Sequence, residues 1–420
     1  MKKRADFVEV VLKLTERCNI NCTYCYMFNM GNDDYLAHPI YIDSAVIEKV
    51  AAFLAKGVQE LSAKRIRIDF HGGEPLMLKP ARFDWLCEKL RREIEPFAAI
   101  EFAMQTNGML INEEWLALFE KHRVGIGISI DGPQDLHDAH RVDHQGKGTH
   151  AKVIEGIQRA QKAASEKRLP VPGFLTVINP DHDGGRIYRH LVDDLGATSM
   201  NFLLPMWSHD SIPSGAAEKL GKYLCSVFDE WVKDDNLKIK VRILHQTMRA
   251  MTAGSGFVAA LEGIRANEFA LLTIASNGDL GPDDELKPLN FGQGTCNVSN
   301  TSLVDFLNSD LMTYLDDVAH TLPVDCYECP WQNYCRGGAQ HGSLINRFSS
   351  KAEFQNKSAL CDGLRSYYSQ VATYLLEHDT PMDLLAASLD FADSPYKKPM
   401  PIFPKRYHRK IVPIAIAGAD

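Results

Sequence analysis

The sequence predicts an α/β fold in which an open, partial barrel of six βα units is followed by a smaller, cysteine-rich region. Three observations predict it. From residue 7 to about 205, short apolar runs rich in β-branched residues alternate with longer stretches of helical period, the pattern of a parallel sheet. Six units fall short of the eight that close a barrel, so the site is expected at the C-terminal ends of an open set of strands. After about residue 232 the alternation decays and cysteines gather near the end of the chain.

The six strands fall at 7–14 (FVEVVLKL), 65–70 (RIRIDF), 99–106 (AIEFAMQT), 124–130 (VGIGISI), 173–179 (GFLTVIN) and 199–205 (SMNFLLP). Helical period places crossovers near 43–56, 80–95, 112–121, 150–167 and 184–195, with a further helix at 216–232. Beyond it the pattern gives a helix near 256–268, a hairpin at LLTIASNGDLG turning on Asn277-Gly278, and helices near 301–317 and 358–377. The expected organisation is a barrel over 1–232, a bridging region with the hairpin over 233–300, a cysteine-rich domain over 301–380 and a tail over 381–420 with no clear period.

Composition narrows the function. Hydrophobic residues make up 45% and charged residues 24%, as in ordinary globular proteins. The net charge of −8 and the absence of a polybasic block argue against nucleic acid as the main partner. No run of 18 apolar residues spans a membrane, and Asp6, Glu9 and Lys13 interrupt any signal-peptide core, so the expected location is the cytoplasm. In that reducing compartment ten cysteines point to metal before disulfides.

The strongest motif is CNINCTYCY, placing Cys18, Cys22 and Cys25 in the loop that leaves the first strand. Three thiolates suit three irons of a 4Fe-4S cube and leave the fourth iron open, whereas a structural zinc would want a fourth local ligand. After the second strand comes HGGEPL. Gly72 and Gly73 let the backbone approach a ligand closely, and Glu74 offers a carboxylate to an ammonium group. QTNG (with Gln105 and Asn107) and SIDGP (with Ser129) set polar groups at the mouths of strands three and four.

A CxxxCxxC after the first strand of a sixfold βα alternation resembles the radical S-adenosylmethionine (SAM) enzymes. That resemblance implies a fold of radical SAM type, a partial (β/α)6 TIM-like barrel. It implies a 4Fe-4S cluster on Cys18, Cys22 and Cys25 whose open iron binds SAM, and an external electron donor such as flavodoxin or ferredoxin. One electron then cleaves SAM to a 5′-deoxyadenosyl radical that abstracts hydrogen from the substrate. It further implies that Tyr24 packs near adenine, that the Gly72-Gly73-Glu74 segment holds the methionine amine, that Ser129 approaches the ribose and Arg141 the carboxylate, and that Asn179 and Leu203 bound the nucleoside.

A second constellation, CYECPWQNYC, gives Cys326, Cys329 and Cys335, with Cys361 at the start of a later helix. Four thiolates enclose a 4Fe-4S cluster or a zinc ion, and spacing does not choose. Beside the first motif the stretch resembles the SPASM domain of peptide-modifying radical SAM enzymes, which implies a second, auxiliary 4Fe-4S cluster on Cys326, Cys329, Cys335 and Cys361. The family's inner cluster is not expected, because Asp283 and Ala339 stand where that cluster's cysteines would be. Cys296 is left unassigned, and Cys87 and Cys225 fall on helices.

Asp284, in PDDELK, matches the carboxylate that takes a proton from substrate in the anaerobic sulfatase-maturating members. It is the expected catalytic residue, acting on substrate apart from the cofactor. His341 and Arg347 are further residues that could line the substrate path. The CxECxW run, the following C-R-G-G and the late Ser358-to-Cys361 segment look most like the Xye-type cyclophane-forming maturases. The leading expectation is therefore a maturase that joins an aromatic ring carbon to a Cβ in a ribosomally made precursor peptide. An enzyme oxidising Cys or Ser to formylglycine is the alternative, and a non-catalytic iron-sulfur or zinc protein a second one. About six residues precede the first strand, so no fused leader-recognition domain is expected there.

Overall fold

The structure, a computed structural model, describes residues 5–252, 269–290, 296–338 and 343–389. Five strands alternate with helices in chain order: β1 (Phe7–Thr15), α1 (Ser44–Leu61), β2 (Arg65–Gly72), α2 (Pro80–Ile94), β3 (Ala99–Thr106), α3 (Glu113–His122), β4 (Val124–Ser129), a short α4 (Gln134–His137), α5 (His150–Ser165) and β5 (Gly173–Val177). There follow α6 (Gly184–Arg189) with a π turn at His190–Asp194, β6 (Ser199–Leu203), α7 (Ala216–Asp234), β7 (Lys240–Val241), α8 (Arg242–Thr252), β8 (Phe269–Ile274) and β9 (Leu280–Gly281). The strands form one nine-stranded sheet in the order β7-β6-β5-β4-β3-β2-β1-β8-β9, parallel except for β9. The open α/β barrel that the alternation implies is what the chain builds.

Alternation along the strands sets the two faces. In β1, Val8, Val10, Leu12 and Leu14 are fully buried in the core shared with helix residues such as Leu54 of α1 and Phe83 of α2. Glu9, Val11 and Lys13 point the other way, into the barrel. The β1–β2 register pairs Lys13 with His71 and Val11 with Asp69, so the lumen is polar near the strand mouths. Caps fix where the helices begin: Asp43 accepts from the Val46 N–H before α1, and Asn112 from Trp115 before α3.

The largest departure from expectation is at the hairpin. Its turn at Gly278 (φ +87°) is present, but β8 is no bridging element: it pairs in parallel with β1 over six residues, Phe7 opposite Phe269 to Leu12 opposite Ile274. The sequence signal for β8 is local and its partner lies some 260 residues away, so periodicity alone does not report the pairing. The 301–317 helix divides into Leu303–Leu307 and Asp310–His320 because Ser309 caps a new start. α8 was not foreseen, and the start of the tail carries a helix at Met382–Leu389 where no period was read. The 256–268 helix, Ala339, His341 and the tail beyond 389 lie outside the described residues.

The cysteine-rich region is tied to the barrel by close backbone contact. The helix Cys361–Glu377 crosses α7 where Gly363 meets Gly221: a Cβ on Gly363 would stand 2.0 Å from the Ala217 carbonyl oxygen. Tyr334 and Tyr367 both donate to the Thr247 hydroxyl of α8 at 2.9 Å. Among the described residues no helix is long and apolar enough to cross a membrane.

Candidate active site at the barrel mouth

The loop carrying Cys18, Cys22 and Cys25 is laid across the strand mouths by its backbone. The Asn21 and Thr23 N–H groups donate to the Val142 and His140 carbonyls at 2.7 and 3.0 Å, and Asn29 donates to the Cys25 carbonyl. The root of the loop rests on the end of β2, where Gly73 and Glu74 N–H groups donate to the Thr15 and Arg17 carbonyls. Here the two glycines also meet a packing requirement. Gly72 has φ +143°, and a Cβ on it or on Gly73 would stand 2.3 Å from Thr15 O or 2.1 Å from Arg17 O. Their missing side chains make room for the cluster loop itself.

The three thiols lie within electrostatic reach of one another. Burial raises each above its ordinary pKa, Cys22 to about 11, and neighbouring thiolates add to the rise at Cys18 and Cys22. A bound cation reverses that sense, since a coordinating thiol is deprotonated. Among the described residues no three His, Cys, Asp or Glu side chains close on the position of a single ion. The donor set, three thiols from one short loop with no local fourth ligand, fits a cube in which each thiolate takes its own iron.

Around the loop the expected cofactor residues form two hydrogen-bonded groups. In the first, Glu74 is 1% exposed and accepts from the Leu76 N–H (3.0 Å), the Thr106 hydroxyl (2.7 Å) and the Asn107 N–H (2.8 Å). Burial pushes its carboxyl up to about 7 despite these donors. A carboxylate has about four acceptor positions, so one is left for an ammonium group. Asn107 reaches Asn19 (2.7 Å) and the Cys18 sulfur (3.9 Å), and Gln105 donates to Ser129 at 2.8 Å across β3 and β4.

The second group centres on Asp131, which accepts from the Tyr24 hydroxyl, from Arg141 Nε (2.9 Å) and from the Val177 N–H (3.2 Å). Arg141 is buried, far from a solvated surface charge; it lies over the Tyr24 ring at 5.7 Å and reaches the Cys22 sulfur at 3.9 Å. Burial opposes its charge, but Asp131 keeps it protonated. At the end of β5, Asn179 contacts His140 (2.9 Å), which contacts Thr23 of the cluster loop (2.9 Å). Leu203 closes β6, where its carbonyl accepts from Ile178. Asp131, Asn19 and His140 are participants that sequence reasoning did not single out, although Asp131 sits inside the SIDGP motif.

Asp284 is not remote from the cofactor strands. It begins a 3-10 turn after β9 and is ion-paired with Lys13 of β1, while Tyr26, next to Cys25, donates to it at 2.5 Å. Lys13 is 0% exposed and its ammonium also lies 2.9 Å from His71 Nδ1. Burial alone would raise the Asp284 pKa, but Lys13 overrides it and holds the carboxyl well below the usual carboxylate range. Burial and Lys13 push His71 down to about 4, so it is neutral at pH 7. Lys13, Tyr26 and His71 were missed. A lysine in an alternating strand reads as solvent-facing, and only the return of the chain at β9 turns its place into a buried ion pair.

Cys326, Cys329, Cys335 and Cys361 are brought together from two segments. Burial raises Cys326 and Cys335 to about 12, and neighbouring thiolates of the same four add to it. Arg347 does not line a path: it is 1% exposed and donates to the Phe354 and Val318 carbonyls at 3.1 and 2.9 Å. Cys296 is half-buried beside the core, Cys87 is buried in α2 and Cys225 packs in α7.

Comparison with known proteins bears on the family and the fold. Residues 12–186 match the model of the radical SAM superfamily, so the barrel is a radical SAM domain. Over most of its length the chain is similar to named enzymes. A serine-type anaerobic sulfatase-maturating enzyme of Bacteroides thetaiotaomicron is 26% identical over 408 residues, covering 89% of this chain and 93% of that one. A cysteine-type anaerobic sulfatase-maturating enzyme of Clostridium novyi is 22% identical over 368 residues, covering 85% and 92%. Among solved structures, anSMEcpe with bound AdoMet superposes with a TM-score of 0.72 at 18% identity, covering 88% of this chain and 98% of that one. Streptococcus suis SuiB follows with a TM-score of 0.56 at 16% identity, covering 86% and 77%.

These likenesses correct the leading functional expectation. The near-full-length relatives are sulfatase-maturating enzymes, so the reading as a Xye-type cyclophane crosslinker of a precursor peptide is set aside in favour of the formylglycine alternative. The short motifs around Cys326 and Cys361 had carried that reading, and they cover a small part of the chain.

Proposed function

We propose that this chain removes two hydrogens from a Ser or Cys residue, within a peptide segment of a protein substrate, giving the aldehyde of formylglycine directly from Ser and, from Cys, a thioaldehyde that water hydrolyses to the same aldehyde with release of hydrogen sulfide. The observation that carries the reading is the match to a serine-type sulfatase-maturating enzyme over 89% of the chain. Two structures of anSMEcpe contain bound peptides, and this chain shares their fold, which supports a peptide as the substrate class here. When bound, SAM and clusters on Cys18, Cys22 and Cys25 and on Cys326, Cys329, Cys335 and Cys361 would supply hydrogen-atom abstraction and an electron acceptor, with a flavodoxin or ferredoxin as donor.

The chain's own residues do the rest. Glu74 and Asn107, held by Thr106 and the Cys18 loop, present acceptors for the methionine ammonium, and Arg141, fixed by Asp131, presents donors for its carboxylate. Ser129 and Asn179 offer hydrogen-bonding groups to the nucleoside. Loss of the second hydrogen from the substrate as electron and proton requires an ionised base, and Asp284 is in that state at neutral pH because of Lys13. Lys13 and Tyr26 aim the carboxylate, and the neutral His71 beside Lys13 leaves a path along which a proton can move away from it.

The test is anaerobic incubation of the iron-loaded enzyme with SAM, reductant and peptides bearing Ser or Cys, followed by hydrazine capture of aldehyde. Aldehyde at that residue, matched by 5′-deoxyadenosine, is the expected result. SAM cleavage with no aldehyde on any Ser or Cys peptide would refute the reading.

A further inference from the structure

Arg347 is a buried cation that none of the steps proposed above uses. It is 1% exposed, its Nε and Nη1 donate to the Phe354 and Val318 carbonyls, and its Nη2 is buried with no hydrogen-bond partner. Burial lowers its pKa to about 10, so it stays charged at neutral pH. Among the described residues no carboxylate pairs with it, and the anionic groups that act on it are Cys326 first and then Tyr314. Tyr314 is a neutral phenol that donates to Glu353 at 2.9 Å, which leaves Cys326, a thiolate once it coordinates metal. A buried charge without a partner is strongly unfavourable, so an anion is called for beside this one.

The segments that carry the four C-terminal cysteines meet at the turn Leu344–Arg347. The Cys326 N–H donates to the Pro323 carbonyl at 2.9 Å, and a Cβ on Gly337, just after Cys335, would stand 2.8 Å from Pro323 Cδ and 3.9 Å from Arg347 Nε. On the other side the Ala359 N–H, just before Cys361, donates to the Asn346 carbonyl at 2.7 Å. Four thiolates around an oxidised 4Fe-4S cube carry a net charge of about −2, and about −3 once it is reduced, so a cube here fits a buried cation without an acid. Arg141 makes the contrast. It too lies near a cluster thiol, 3.9 Å from the Cys22 sulfur, but Asp131 accepts from it at 2.9 Å and balances its charge. The charge of Arg347 has no such acid to balance it and acts on the C-terminal thiolates.

We propose that Arg347 is the buried countercharge of the cluster on Cys326, Cys329, Cys335 and Cys361, and that it raises the reduction potential of that cluster by stabilising the more negative, reduced state. This rests on the second cluster and the oxidation proposed above. When the substrate carbon radical loses one electron and one proton, the proton goes to Asp284 and the electron to the oxidised cluster, which gains one unit of negative charge. A fixed guanidinium makes that uptake more favourable without having to move.

The experiment is an anaerobic redox titration of the full-length, iron-loaded enzyme, followed by electron paramagnetic resonance with and without SAM. The signal that SAM perturbs belongs to the cluster on Cys18, Cys22 and Cys25, and the insensitive one to the cluster beside Arg347. In Arg347→Gln the oxidised-to-reduced ratio of the insensitive signal at a fixed potential should rise about tenfold, a midpoint about 59 mV lower for one electron, while the SAM-sensitive signal stays within about twofold. Arg347→Lys keeps the charge and should stay within about threefold of the wild type. An unchanged midpoint in Arg347→Gln, or the same fall in both variants, overturns the countercharge. Where Arg347→Gln loses its C-terminal cluster, the iron count decides. About eight irons and a wild-type midpoint in Arg347→Lys support the countercharge, whereas loss of iron in both variants makes Arg347 a structural link to the Phe354 and Val318 carbonyls and overturns it. About four irons in the wild type would remove the second cluster and the countercharge with it. The titration needs no turnover, so a shifted midpoint in an enzyme that forms no aldehyde would sink the proposed oxidation and leave the role of Arg347 standing.

Discussion

The two sides of the barrel mouth are built differently. On the β2–β5 side, Glu74 and Asp131 each accept three hydrogen bonds from the protein, and Arg141 is locked between Asp131 and the Cys22 sulfur. On the β8 side, Asp34 and Thr273 carry buried polar atoms with no partner around an open cavity. Asp284 stands between them, joined to β1 through Lys13 and to the cluster loop through Tyr26. On the function proposed above, the first side would hold a cofactor that is the same at every turnover, and a site for such a guest can be fixed in advance.

The largest effect should come from the fixed side. Replacing Cys18, Cys22 or Cys25 by Ala is expected to abolish 5′-deoxyadenosine formation, measured by chromatography after anaerobic iron loading. Wild-type SAM cleavage in any one of the three would break the comparison at its root.

Lys13→Met tests the joint between the sides. Removing the partner of a buried carboxylate costs about 3–5 kcal/mol, read as a lower denaturant midpoint. In the wild type the depressed Asp284 pKa contributes stability that is present above its ordinary 3.8 and is lost as the pH falls through the folded value. Without Lys13, burial lifts that pKa, so aldehyde formation should fall on the acid side and recover as pH rises. In the wild type Asp284 stays ionised through the neutral range, so the acid limb of Lys13→Met should lie at higher pH than the wild type's. A Lys13→Met profile that coincides with the wild type's would remove Lys13 from the account.

The link between the cysteine-rich region and the barrel predicts a smaller change. Gly363→Ala drives a methyl against the Ala217 carbonyl, and overpacking of this kind costs about 1–3 kcal/mol. The expected outcome is lower thermal stability with SAM binding retained. The smallest effect is that of Ser129→Ala, which removes the acceptor of Gln105 and should cost about 1 kcal/mol in stability.

The two sides also differ in how far the sequence discloses them. The six barrel strands were legible because β-branched alternation and helical period are local signals, and the CNINCTYCY and HGGEPL motifs fell at their mouths as expected. The β8 side was not. Phe269–Ile274 reads as half of a hairpin, and its parallel pairing with β1 depends on a partner that periodicity does not identify. Lys13 shows the same limit: its alternation says which face it takes, and the burial of that face depends on where Asp284 returns. Asp34 and His38 lie in a stretch without period and gain meaning from the cavity they border.

The central claim is that this chain couples SAM cleavage to oxidation of a peptide Ser or Cys through Asp284. It is tested most directly by the ratio of aldehyde to 5′-deoxyadenosine, measured by mass spectrometry on one Ser or Cys peptide, in the wild type and in Asp284→Asn. The substitution keeps the shape and removes the base. The account predicts a ratio near one for the wild type and, in Asp284→Asn, 5′-deoxyadenosine with at least about tenfold less aldehyde. An unchanged ratio in Asp284→Asn would contradict it.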